Sequence, residues 1–69
     1  MTVKHSITIA GHATSLTLEP VFWDALHRAA TQDGRALAQV VAEIDEARTT
    51  NLSSAVRVWL MERALARQG

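Results

Sequence analysis

Two runs of alternating residues near the start of the chain fall out of step with each other, and that mismatch restricts the fold more than any other feature. Val3, Ile7 and Ile9, with His5 between them, share one side of an extended chain, and Lys4, Ser6 and Thr8 take the other. Beyond Ala10-Gly11-His12 the apolar positions become Leu16 and Leu18, which leaves Ala13, Ser15 and Thr17 on the opposite side. Side chains alternate strictly along a strand, so an odd-numbered apolar set cannot give way to an even-numbered one without a turn or a bulge. Gly11 is the residue that permits it. Residues 1–18 therefore read as two strand segments or one broken strand, with residues 3–9 either an outer strand or an arm that orders on a partner. A strand as short as Thr14 to Leu18 is not stable alone and needs something to pair with.

The rest of the chain reads as helix. Pro20 suits a first helical position, because its fixed φ is already helical and its missing N–H would have no partner there. Glu19 or Thr17 is the expected cap. Phe22, Leu26, Ala29 and Ala30 recur at helical spacing beside Trp23, which predicts a helix over 20–33 stopped by Gly34. A second helix is predicted over 35–47, where Leu37, Val40, Val41 and Ile44 form one apolar stripe and Glu43, Asp45 and Glu46 take other faces. Arg48-Thr49-Thr50-Asn51 is a connector rich in capping residues. A third helix over 52–67, capped by Asn51 or Ser53, carries the stripe Leu52, Val56, Trp59 and Leu60. Val58, Met61 and Leu65 lie off that stripe, and so wide an apolar surface is expected to be covered in part by a partner chain. Trp23 and Trp59 sit at core spacing, which favours packing over a role as stacking platforms for bases.

Composition sets the remaining bounds. At 69 residues the chain is one domain, residues 1–69, of marginal stability on burial alone. It has no cysteine, so disulfides and thiolate-bound metal are excluded, oligomerisation is the expected supplement, and the chain is compatible with a reducing compartment. Lys4-His5-Ser6 interrupts any signal-peptide core and no run reaches membrane-spanning length, which predicts a soluble cytoplasmic protein. Formal net charge is zero, yet residues 1–18 hold Lys4, His5 and His12 without a carboxylate, whereas six of the seven acids lie between Glu19 and Glu46. His5, His12 and His27 show neither i,i+3 nor i,i+4 pairing, so no metal or other cofactor is expected. Glu43, Asp45 and Glu46 read as a solvated helix face, Ser53-Ser54 as a cap, and no nucleophile has a base beside it; an enzyme is not expected.

The order of strand, helix stopped by glycine and amphipathic helix resembles that of a family of short bacterial ribbon-helix-helix proteins. The stretches Ser6-Ile7-Thr8-Ile9-Ala10-Gly11-His12, Thr14-Ser15-Leu16-Thr17-Leu18-Glu19, Phe22-Trp23-Asp24-Ala25-Leu26 and Asn51-Leu52-Ser53-Ser54-Ala55-Val56-Arg57 carry the resemblance, which runs over most of the chain. It implies a mainly α fold with a short β-ribbon, an intertwined ribbon-helix-helix homodimer with an additional C-terminal helix, in which the strand pairs antiparallel with the same strand of a second chain. One ribbon face then packs on the helices and the other enters the DNA major groove, which admits a two-stranded β-ribbon. The implied function is a homodimeric DNA-binding transcriptional regulator acting on double-stranded DNA. Ala13, Ser15 and Thr17 would face the bases. Lys4, His12 and also His5 would contact phosphates from the acid-free arm, and Arg35 and Ala36 would do so at the start of the second helix. Leu16, Leu18, Phe22, Leu26, Leu37, Val40, Val41 and Ile44 would form the dimer core.

The chain departs from that family at two places. Ala13 stands where arginine is frequent, so the strongest reader of guanine is missing. The second helix opens Gly34-Arg35-Ala36-Leu37 where serine or threonine would cap it. The alternative reading is a protein-interaction module, antitoxin-like or adaptor, that uses the C-terminal helix.

Overall fold

The change of parity is a tight hairpin turn. The computed structural model describes residues 1–68, with Gly69 outside them, and pairs β1 (Val3–Ile9) antiparallel with β2 (His12–Leu18). Ala10 and Gly11 both have positive φ, +50° and +85°, the signature of a type I′ turn, whose twist matches that of the flanking strands. The register runs from Ile9 opposite His12 to Val3 opposite Leu18. Residues 3–9 are thus a strand, and the neighbour of β2 lies in the same chain. Of the two readings of residues 3–9, an outer strand or an arm, the structure takes the outer strand, and the other edge of β2 is left for a second copy.

Register also fixes the two faces. Val3, His5, Ile7 and Ile9 share the inner face with His12, Thr14, Leu16 and Leu18, and Ile7, Ile9, Leu16 and Leu18 are buried there. Helices α1 (Pro20–Gln32), α2 (Leu37–Ala47) and α3 (Leu52–Gln68) close over that face. The segment α2 packs on β1, while α3 packs on β2 and on α2. Leu16, Leu18, Leu26, Val40, Val41 and Val56 are fully buried. Of the residues expected at a dimer core, Leu16, Leu18, Leu26, Val40, Val41 and Ile44 are therefore buried within one chain, and Phe22 and Leu37 pack against them half-buried. The cause is the hairpin together with α3, which cover a surface that a single strand and two helices would leave open.

The helix ends show why the boundaries fall where they do. Glu19 is the N-cap of α1 in extended conformation, with Pro20 following, but its side chain caps nothing; instead its carboxylate accepts the Arg57 Nε–H of α3 at 2.9 Å. At the other end Gly34 has φ +63°, its N–H reaches the Thr31 carbonyl at 3.1 Å and the Arg35 N–H reaches that of Ala30 at 3.0 Å. These are the two bonds of a Schellman motif, and they end α1 at Gln32, one residue before the expected limit. Because the Arg35 N–H is committed to that motif, the chain passes through an extended Ala36 before α2 begins at Leu37, and not at residue 35. Gln39 Oε1 accepts the Ala36 N–H at 2.8 Å, but Ala36 has no side-chain oxygen to return the bond. Asn51, and not Ser53, caps α3: its Oδ1 accepts the Ser54 N–H at 2.9 Å.

Trp23 joins the two halves. Its ring is buried on α1 and its Nε1–H donates to the Val3 carbonyl at 2.9 Å, which holds the open end of the hairpin. Among the described residues no helix is long and apolar enough to cross a membrane.

Candidate nucleic-acid interface

The outer ribbon face is set by the same register that builds the core. Three cross-strand pairs present their side chains away from the helices: Lys4 with Thr17, Ser6 with Ser15 and Thr8 with Ala13. Thr17 is half-buried and the other five are exposed. The face is small, polar and hydroxyl-rich, with one cation and no carboxylate. It therefore admits close approach to a polyanion without a like-charge penalty, and the hydroxyls can donate or accept.

The structure brings Lys4, Ala13, Ser15 and Thr17 together on this surface. It also adds Ser6 and Thr8, which sequence reasoning misses as contacts although they share one side of their strand with Lys4. The missing information was the pairing of the two strands, which turns that side into a continuation of the other.

Other expected contacts stand elsewhere. His12 flanks the turn with the inner-face parity of Leu16 and Leu18, so it is beside the outer surface and not on it. His5 is also on the inner side, where its ring meets that of Trp23 edge-on at 4.8 Å between centroids. The ring of His27 is also near Trp23, 6.4 Å away between centroids. Among the described residues no group of three or more His, Cys, Asp or Glu side chains is arranged to hold a metal ion.

Arg35 and Ala36 precede the first residue of α2, Leu37, and the electrostatics there are not those of an open anion site. The Arg35 guanidinium makes a fork with the Glu43 carboxylate, at 3.1 and 3.4 Å, and stands 3.7 Å from Asp33. Two carboxylates thus surround the single cation that would meet a phosphate. Asp33 is itself held by Arg63 of α3 at 2.7 and 3.1 Å, and this hydrogen bonding is the main reason its carboxyl lies below the ordinary carboxylate range. Glu19 is also lowered, first by its own backbone N–H and then by Arg57. None of these partners was legible from spacing, since Arg63 is 30 residues from Asp33 and Arg57 is 38 from Glu19.

The third helix keeps a second surface open. Val58, Met61 and Leu65 are exposed at 54%, 59% and 58%, so the chain itself does not cover them. Of these, Val58 also lines a groove of about 430 Å³ between α2 and α3, together with Ile44, Ala47, Ala55 and Trp59 among others. Trp59 is half-buried against the core, and the Arg63 guanidinium lies 5.4 Å from its ring centroid.

The arrangement is similar to that of a solved structure, an uncharacterized protein from Bordetella pertussis Tohama I. The match has a TM-score of 0.81 at 26% identity and covers 99% of this chain and 59% of that one. This chain thus corresponds to little more than half the length of that protein. No curated protein matches the sequence. The model of the ribbon-helix-helix domain matches residues 2–64, and by that match, with the hairpin and helices it spans, the chain belongs to the ribbon-helix-helix domain family.

Proposed function

We propose that the protein is a cytoplasmic, homodimeric DNA-binding regulator that presents its outer ribbon face to the major groove. The observation that carries this reading is the carboxylate-free, hydroxyl-rich surface of Lys4, Ser6, Thr8, Ala13, Ser15 and Thr17, on a hairpin that lies within the residues the family match spans. In a two-residue hairpin the residues flanking the turn exchange both backbone hydrogen bonds, so alternate residues of β2 turn their N–H and C=O groups to the unpaired edge. Those residues are Ala13, Ser15 and Thr17. An antiparallel second copy centred on Ser15 satisfies all three and removes an exposed edge that would otherwise invite uncontrolled pairing. Two such strands fit the groove, which is about 12 Å wide.

Ala13, Ser15 and Thr17 supply hydroxyl and methyl contacts, which discriminate less among bases than a guanidinium would. Specific recognition then rests on several dimers bound side by side. A salt titration of binding to genomic DNA fragments tests the reading: affinity should fall steeply with salt and be abolished by Ser15→Glu and Thr17→Glu. Absence of binding tighter than micromolar at low salt would refute it. Light scattering should give a dimer, and a folded monomer at micromolar concentration would refute that part.

The exposed Val58, Met61 and Leu65 support a second reading, in which α3 holds another protein. Under it DNA binding is weak or absent, and Met61→Lys abolishes the protein contact while leaving the ribbon unchanged.

A further inference from the structure

We infer that β1 is a phosphate-contacting rail, in which Lys4, Ser6 and Thr8 hold the DNA backbone beside the groove while β2 faces the bases. The inference rests on the groove reading given above. Neighbouring strands lie about 4.8 Å apart. If two β2 strands pair about a two-fold axis, each stands roughly 2.4 Å from it and each β1 roughly 7 Å from it. The groove is about 12 Å wide, or roughly 6 Å on either side of its midline. β2 therefore enters the groove, and β1 is carried over its wall, where the phosphates run.

The chemistry of β1 suits that position. Lys4 brings a mobile cation, and Ser6 and Thr8 bring hydroxyls, all three exposed. By the alternation set at the turn, the backbone N–H groups of Lys4, Ser6 and Thr8 point away from β2, laterally toward the same wall. Among the described residues, the side chains of these three enter none of the side-chain hydrogen bonds. Donors that protrude beyond a groove edge position the protein and carry no sequence information. This division of labour also offsets the poor phosphate site at α2, where Glu43 and Asp33 occupy Arg35.

The experiment uses the full chain. Preferred sequences are selected from a random duplex library with the wild type, and affinity for a selected and an unrelated duplex is then measured over a range of salt. The variants are Lys4→Ala alone and the triple change Lys4→Ala, Ser6→Ala and Thr8→Ala, with a thermal melt to establish folding. The triple variant should bind both duplexes about tenfold or more weakly, by similar factors. Either variant should flatten the dependence of log affinity on log salt by about one for each phosphate that Lys4 neutralises in the wild type, and leave the selected sequence unchanged. Unchanged affinity in both folded variants would overturn the rail alone, and so would a change in preferred sequence, which would put β1 at the bases. A wild type that binds neither duplex would overturn the groove reading and the rail with it. If the triple variant fails to fold, Lys4→Ala decides the matter through its salt slope.

Discussion

The type I′ turn gives a quantitative test of the hairpin because its two residues should respond to substitution in opposite directions. Ala10 sits at φ +50°, where an L-residue with a Cβ is strained by roughly 1–2 kcal/mol. Asparagine tolerates this conformation through local hydrogen bonding of its side chain, and Asn-Gly is the favoured pair for such a turn. Ala10→Asn should recover about half of that strain, roughly 0.5–1 kcal/mol. Gly11 has φ +85°, and a Cβ built there meets nothing within 4 Å, so Gly11→Ala changes conformational energy without a clash. It should destabilise by about 1 kcal/mol. For a domain of this size 1 kcal/mol moves Tm by roughly 4–8 °C, so the two variants should melt on opposite sides of the wild type. The assay is thermal and urea unfolding followed by circular dichroism at the helical minimum. Reading the helices matters: a shift appears there only if the hairpin unfolds together with them. Gly34→Ala is the internal control, since that glycine also has positive φ and open space around its Cβ position, and it too should lose about 1 kcal/mol. If Gly34→Ala is destabilising while both turn variants melt like the wild type, the hairpin is not part of the cooperative core. If Ala10→Asn is destabilising, the turn is not type I′.

The helix caps and the ion pairs make further predictions. Asn51→Ala removes the acceptor for the Ser54 N–H and should cost about 1 kcal/mol, whereas Ala36→Ser supplies the missing cap oxygen on α2 and should gain roughly 0.5–1 kcal/mol; urea midpoints measure both. Glu19 and Asp33 have carboxyls lowered by their partners, so their contribution to stability is fully present above the ordinary carboxylate range and is lost as pH falls through their lowered folded values. Unfolding by urea at several pH values from 7 down to about 2 should show that acid loss in the wild type, and it should flatten in the Glu19→Gln, Asp33→Asn double variant.

The sequence carried those features of the fold that depend on neighbours in the chain. Alternation placed Leu16 and Leu18 inward and Ser15 outward, Gly34 marked the end of the first helix, and the stripe of Leu37, Val40, Val41 and Ile44 marked the second. What it did not carry depends on which segments meet. Residues 3–9 were equally compatible with an arm, because alternation says which side a residue takes and not what lies beside it. The same gap hid Ser6 and Thr8 from the outer surface. The delayed start of α2 follows from the Arg35 N–H being used on the carbonyl of Ala30, a tertiary detail of the turn with no signature in composition. The fork between Arg35 and Glu43, eight residues apart, is likewise set by the turn between the two helices and not by helical spacing.

The indole bond from Trp23 to the Val3 carbonyl gives the ribbon a property that the turn alone would not. A hairpin closed at one end can open from the other like a zip, and can re-close out of phase. Here Ala10-Gly11 fastens one end and Trp23 the other, so the strands form a loop pinned at two points. A slip of a single residue would carry Ser6 and Thr8 inward and Ile7 out to water, and it would first have to break a bond anchored in the helical core. The phase of the outer side chains is therefore guarded by a residue that never reaches that surface.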